Sequence, residues 1–105
     1  MLSIVFKPKG EWWVSSAVFD RLFQSALDHG EIAPAMGHWH DIVTANGGFD
    51  LSDAPVSEAE QLTLGLHRTA ERELVLLREV TPQSEEGTYR ASLLKLLAAV
   101  QLASD

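Results

Sequence analysis

The alternation of apolar and polar residues changes period several times along this chain, and each period predicts a different element. Residues 2–7, LSIVFK, alternate strictly. Leu2, Ile4 and Phe6 fall on one side and Ser3, Val5 and Lys7 on the other, as in a half-buried strand. KPKG at 7–10 reads as a turn, and EWWV at 11–14 as a returning strand that completes a hairpin. The period then lengthens. Val18, Phe19, Leu22, Phe23, Ala26 and Leu27 recur at helical spacing, behind the N-cap candidates Ser15 and Ser16 and ahead of Gly30. A helix is expected over 16–29.

Residues 34–46, PAMGHWHDIVTAN, carry two signals. Pro34 suits a first helical turn, Ala35, Met36, Trp39, Ile42 and Val43 make a stripe, and Asn46-Gly47 suits a C-terminal cap. Asn-Gly is also a hairpin signal, and Ile42-Val43-Thr44 is β-branched. The helix is the favoured reading. A loop follows at 47–56, with Phe49 and Leu51 available as anchors. Ser57 and Glu60 form a capping-box pattern. Beyond it Ala59, Leu62, Leu66, Ala70, Leu74, Leu76, Leu77 and Val80 share one face, which predicts a helix over 57–80. Leu64 and Val75 fall off that face, Glu73 falls on it, and Gly65 allows a break. After a polar connection at 81–87, Thr88 can cap a last helix. Tyr89, Leu93, Leu96, Leu97 and Val100 lie on its apolar face and Ser92, Lys95 and Ala99 on the outer one.

These elements define a mainly α fold of three to four helices with an N-terminal β-strand or short hairpin, a small α+β fold being the alternative. The 105 residues suit one domain, 1–105. A lone hairpin is marginal in water and leaves open edges. It must pack on the helices, pair with the segment at 49–51, or pair with a second copy, and the last option makes a homodimer an expectation.

Charge sharpens this outline. The formal net charge is −7. Between Arg21 and Arg68 there is no lysine or arginine, whereas Asp28, Glu31, Asp41, Asp50, Asp53, Glu58 and Glu60 all lie there. The same stretch holds all four histidines, His29, His38, His40 and His67. Such a surface repels phosphate and attracts basic partners, which argues against nucleic-acid binding. Protonating the histidines would take the stretch from −7 to about −3 near pH 6.5, so pH sensitivity is a further expectation. There is no cysteine, which excludes disulfides, thiolate metal sites and a cysteine nucleophile. The N-terminus has its lysines after the short apolar run, unlike a signal peptide, and no apolar run approaches a membrane span. A cytoplasmic protein with no membrane association is expected.

The chemistry-bearing candidate is GHWHD at 37–41. On a helix, His38 and His40 point about 160° apart on either side of Trp39 and cannot share a metal. On a strand they would share a face and could be two ligands. HWHD shares the HxHxD order of binuclear metallohydrolases, but no second histidine follows the aspartate. Asp50 and Asp53 lack the order of a calcium loop and suit a turn at a helix entry. Trp12 and Trp13 face opposite sides of a strand, so one should remain partly outside, as a binding anchor or under a neighbouring element, with Lys7, Lys9 and Glu11 around it. No phosphate loop, nucleophile elbow or dinucleotide fingerprint is present, and no spacing selects a catalytic triad.

The expectation is therefore a small acidic, non-catalytic protein-interaction module without a cofactor. It binds a basic or mixed protein partner through the 28–60 region, using Trp12, Trp13, Asp41, Asp50, Asp53 and Glu58. Bacterial immunity proteins and nuclease inhibitors use acidic faces in this way, an analogy of charge alone, and an adaptor role is equally consistent. The alternative is a metal-dependent enzyme or metal sensor built on His38, His40 and nearby carboxylates.

Overall fold

The computed structural model describes residues 1–6 and 10–104. The expected turn at 7–10 therefore falls, at positions 7–9, outside the described residues, as do Lys7 and Lys9. The alternating N-terminus forms β1 (Leu2–Val5), which pairs antiparallel with β2 (Glu11–Val14). Helix α1 (Ser16–Asp28) follows, with Ser15 as its cap accepting from the Val18 N–H at 3.2 Å. A 3-10 turn at Pro34–Met36 leads into α2 (His38–Asn46), so the helical signal of this segment prevails over the β-branched one. Gly47, with φ 68°, closes α2 in the left-handed conformation. Strand β3 (Gly48–Asp50), a second 3-10 turn (Leu51–Asp53), α3 (Val56–Leu76) and α4 (Glu85–Ser104) complete the chain. The fold is α+β and mostly helical, four helices with a small three-stranded sheet.

The sheet resolves the problem of the exposed hairpin. Its order is β2-β1-β3, with β3 parallel to β1. Both edges of β1 are thus occupied within the chain, one by β2 and the other by β3, which overlaps the 49–51 segment that was one of the three expected solutions. The parallel approach needs Gly48. Its φ is 136°, and a Cβ there would lie 2.2 Å from the Ser3 carbonyl oxygen. Leu2, Ile4, Trp12 and Val14 face inward and join one continuous core with Phe19, Leu22, Phe23, Leu62, Leu66, Leu93 and Leu96.

Five local readings change. Helix α3 begins at Val56 after Pro55, with no side-chain cap; the hydroxyl of Ser57 instead accepts from the Gln61 amide at 3.1 Å. Helix α4 begins earlier than Thr88, because Ser84 accepts from the Gly87 N–H at 3.0 Å. Leu76 is exposed, because α3 ends there. Ala99 is buried rather than outward, because α4 packs on both α3 and β2 and so buries a wider arc than a single stripe. Gly65 does not break α3. A Cβ there would meet the Glu31 carbonyl oxygen and Ile32 Cγ1, each at 2.6 Å, so the glycine admits the loop after α1 against the helix.

Candidate functional site

Helix α2 answers the question raised by the two histidines. The His38 imidazole bonds through Nδ1 to the Ala35 carbonyl oxygen at 3.0 Å, with Nε2 3.8 Å from Glu58. The His40 ring points to α1. Its Nε2 is 2.5 Å from Asp20 Oδ1 and its Nδ1 3.4 Å from Asp41 Oδ1, and it stacks on Phe19 with ring centres 5.7 Å apart. The two histidines therefore serve different neighbours, and among the described residues no three His, Asp or Glu side chains form a group that could hold a metal ion. Burial penalises the charged imidazole of His40, but the bonds and charges of Asp20 and Asp41 outweigh it and raise the pKa above its ordinary value. Through Asp20 and Asp41 the His40 ring bridges α1 and α2, and these carboxylates favour its charged form.

Trp39 is buried between the two histidines. Its indole donates to Glu58 at 3.2 Å, and its ring meets Phe49 edge-on, with centres 5.1 Å apart. Glu58 is thus partly committed to Trp39, with about a third of its side chain still exposed. Asp50 accepts from the Ser52 N–H at 2.9 Å and the Ser52 hydroxyl at 2.6 Å, the turn role its spacing suggested. Asp41 and Asp53 are exposed.

The tryptophan pair divides as strand geometry requires. Trp12 is 1% exposed, and its indole donates to the Ser92 carbonyl oxygen at 2.9 Å, which ties β2 to α4. It belongs to the core and cannot serve as a surface anchor without unfolding. Trp13 is 57% exposed. Register places it beside Ser3 and Gly48, and places Glu11, Val5 and Asp50 in the next row of the same sheet face. On that face Glu11, Trp13 and Asp50 are exposed and Ser3, Val5 and Gly48 partly buried, whereas the opposite face is sealed into the core.

The acidic stretch is not one uninterrupted surface. Glu31 receives both Arg72 Nε at 3.0 Å and Nη2 at 2.8 Å, with Thr69 donating to it at 2.8 Å. These bonds, Arg72 first, hold the Glu31 carboxyl below its usual range. Arg72 also reaches Ser25 at 2.8 Å and Glu73 at 3.4 Å, and Glu73 accepts from the Tyr89 hydroxyl at 3.1 Å. Burial, with the Glu73 charge, pushes the phenol of Tyr89 up, so it stays protonated as the donor. Arg21 stacks over the Tyr89 ring at 3.8 Å and pairs with both oxygens of Glu86, at 2.6 and 2.8 Å. This network joins α1, α3 and α4. Its only sequence signal was Glu73, a carboxylate misplaced on an apolar face. With Glu31 neutralised and Glu58 bonded to Trp39, Asp28, Asp41, Asp50, Asp53 and Glu60 remain as exposed acids.

A feature that sequence reasoning missed lies between the first half of α3 and the end of α4. A groove of about 580 Å³ runs there, with Leu51 and Ala59 buried at its base and Val56, Leu64 and Val100 along its sides. The off-stripe position of Leu64 was the signal that could have found it.

The fold and these surfaces define a small acidic α+β protein with an exposed tryptophan on its sheet and an apolar groove between two helices. Compared with known proteins, the chain matches no family model, no curated protein and no solved structure. Among the described residues no helix is long and apolar enough to cross a membrane.

Proposed function

We propose that the protein is a non-catalytic interaction module that binds a basic or mixed protein partner. The observation that carries this reading is Trp13, 57% exposed on a sheet face whose neighbouring row ends in the acids Glu11 and Asp50. A large aromatic that is exposed in the free protein gains most by being covered, and flanking carboxylates favour a covering surface that carries lysine or arginine. The exposed acids at 28, 41, 53 and 60 extend the same sign of charge and would steer a basic partner. They equally disfavour the nucleic-acid backbone.

Two earlier anchors drop out of this site. Trp12 is core, and Glu58 supports Trp39. A homodimer is a separate proposal: β1 is paired on both sides by β2 and β3, and β2 and β3 are the outer strands of the sheet. The test is quantitative co-purification from cells expressing the wild type, Trp13→Ala, or the charge reversal Glu11→Lys with Asp53→Lys. Loss of the same specific partner from both variants supports the reading. An unchanged set of partners would refute it.

A further inference from the structure

We infer that the α3–α4 groove is a second docking site, and that its occupant is a basic amphipathic helix from a partner protein. Val56 and Leu64 are 58% and 48% exposed on its flank, while Leu51 and Ala59 are buried beneath them, so the apolar surface is continuous from rim to base. The lining residues on α3 run from Val56 to His67, roughly 16 Å or three helical turns, which matches anchors at i, i+4, i+7 and i+11 of a docked helix. The groove asks for few hydrogen bonds. Thr63 donates its hydroxyl to the Ala59 carbonyl oxygen of its own helix at 2.8 Å, and His67 Nδ1 sits 3.1 Å from Glu71.

Charge selects the occupant. The lining includes one formally charged residue, Glu60, and the imidazole at its far end is paired with a second carboxylate, Glu71. Among the described residues, no lysine or arginine lines it. An apolar ridge bearing lysines would meet Glu60 as it enters, whereas a second copy of this chain brings its own net charge of −7 to an acidic rim. The inference shares with the proposed function the sign of the partner's charge and the Glu60 carboxylate, but it is centred on the groove and not on Trp13.

The probe is an 18-residue peptide of leucine and lysine in amphipathic-helix order, with a leucine/glutamate peptide of the same order as control. Binding is followed by fluorescence anisotropy and by amide chemical shifts of the whole protein. The lysine peptide is expected to saturate, to shift the amides of Thr63, His67 and Val100, and to bind at least tenfold better than the control. Glu60→Lys and Leu64→Gln, both at exposed positions, should each weaken it at least fivefold with the melting temperature held. Trp13→Ala should leave it within twofold. Equal binding of the two peptides, shifts that map away from the groove, or affinities unmoved by Glu60→Lys and Leu64→Gln would each overturn the inference. So would a concentration-dependent dimer that Leu64→Gln dissociates, because a second copy would then be the occupant. If Trp13→Ala alone weakens the peptide, the groove inference fails while the sheet-face reading stands. If Trp13→Ala leaves cellular partners unchanged while the groove variants lose the peptide, the reverse holds.

Discussion

Trp12 and Trp13 are neighbours in sequence and opposites in environment, because successive side chains on β2 point to opposite faces. Trp12→Ala should cost about 3–5 kcal/mol, through lost burial and the lost indole bond to the Ser92 carbonyl. Trp13→Ala should cost under about 1 kcal/mol. Urea midpoints of the two variants check this, and similar midpoints would contradict the assigned burial. His40 offers a second prediction at this scale. Its folded pKa is raised, so its contribution to stability is fully present below the unfolded value of about 6.5 and is lost as pH rises through the folded value. Asp20→Asn should lower the His40 pKa in an NMR titration and flatten the loss of stability across that window. A His40 pKa that Asp20→Asn leaves in place would show that the contact with Asp20 does not set it. The i to i+2 spacing already separated the two histidines on a helix, but nothing local named Asp20 as the partner of His40.

Helix α3 shows how an element answers to its neighbours. In an isolated helix, Gly65→Ala should stabilise by roughly 0.8–1 kcal/mol. Here the added Cβ meets the Glu31 carbonyl oxygen at 2.6 Å, so the expected sign reverses, with a loss of about 1–3 kcal/mol in thermal or chemical denaturation. A more stable Gly65→Ala would mean that the loop yields easily. About two turns further on, Arg72 holds that same loop through Glu31 while reaching Ser25 of α1. Arg72→Met keeps much of the stem and removes the charge, and should cost about 2–3 kcal/mol because Glu31 is left half-buried without its partner. The ends of the helices were less legible than their faces. Ser15 caps α1 as its position implied, but the Ser57–Glu60 pattern is passed over because Pro55 starts α3 two residues earlier. Ser84 caps α4 ahead of Thr88 for a similar reason: two chemically equivalent caps compete, and packing decides between them.

At the scale of the whole molecule, the net charge of −7 is spread unevenly, and folding redistributes it. Arg72, from outside the basic-free stretch, neutralises Glu31 inside it. The remaining exposed acids predict that partner association slows and weakens as salt rises from 50 to 500 mM, with the larger change in the association rate. Surface plasmon resonance across that range is the check, and a rate insensitive to salt would count against the acidic surface as a steering field.

The sequence by itself determined the type of nearly every element, because periods of two and 3.6 are local and each apolar face had to be buried somewhere. It also determined the sign of the surface and the absence of thiol chemistry, since these need only a count. Tertiary structure decided the rest. The parallel pairing of Gly48–Asp50 with β1, the contact of His40 with Asp20, the Arg72–Glu31 pair and the groove beside Leu64 all join residues distant along the chain. Such contacts leave no periodic trace. They depend on which surfaces the close-packed core brings together, and only the folded chain specifies that.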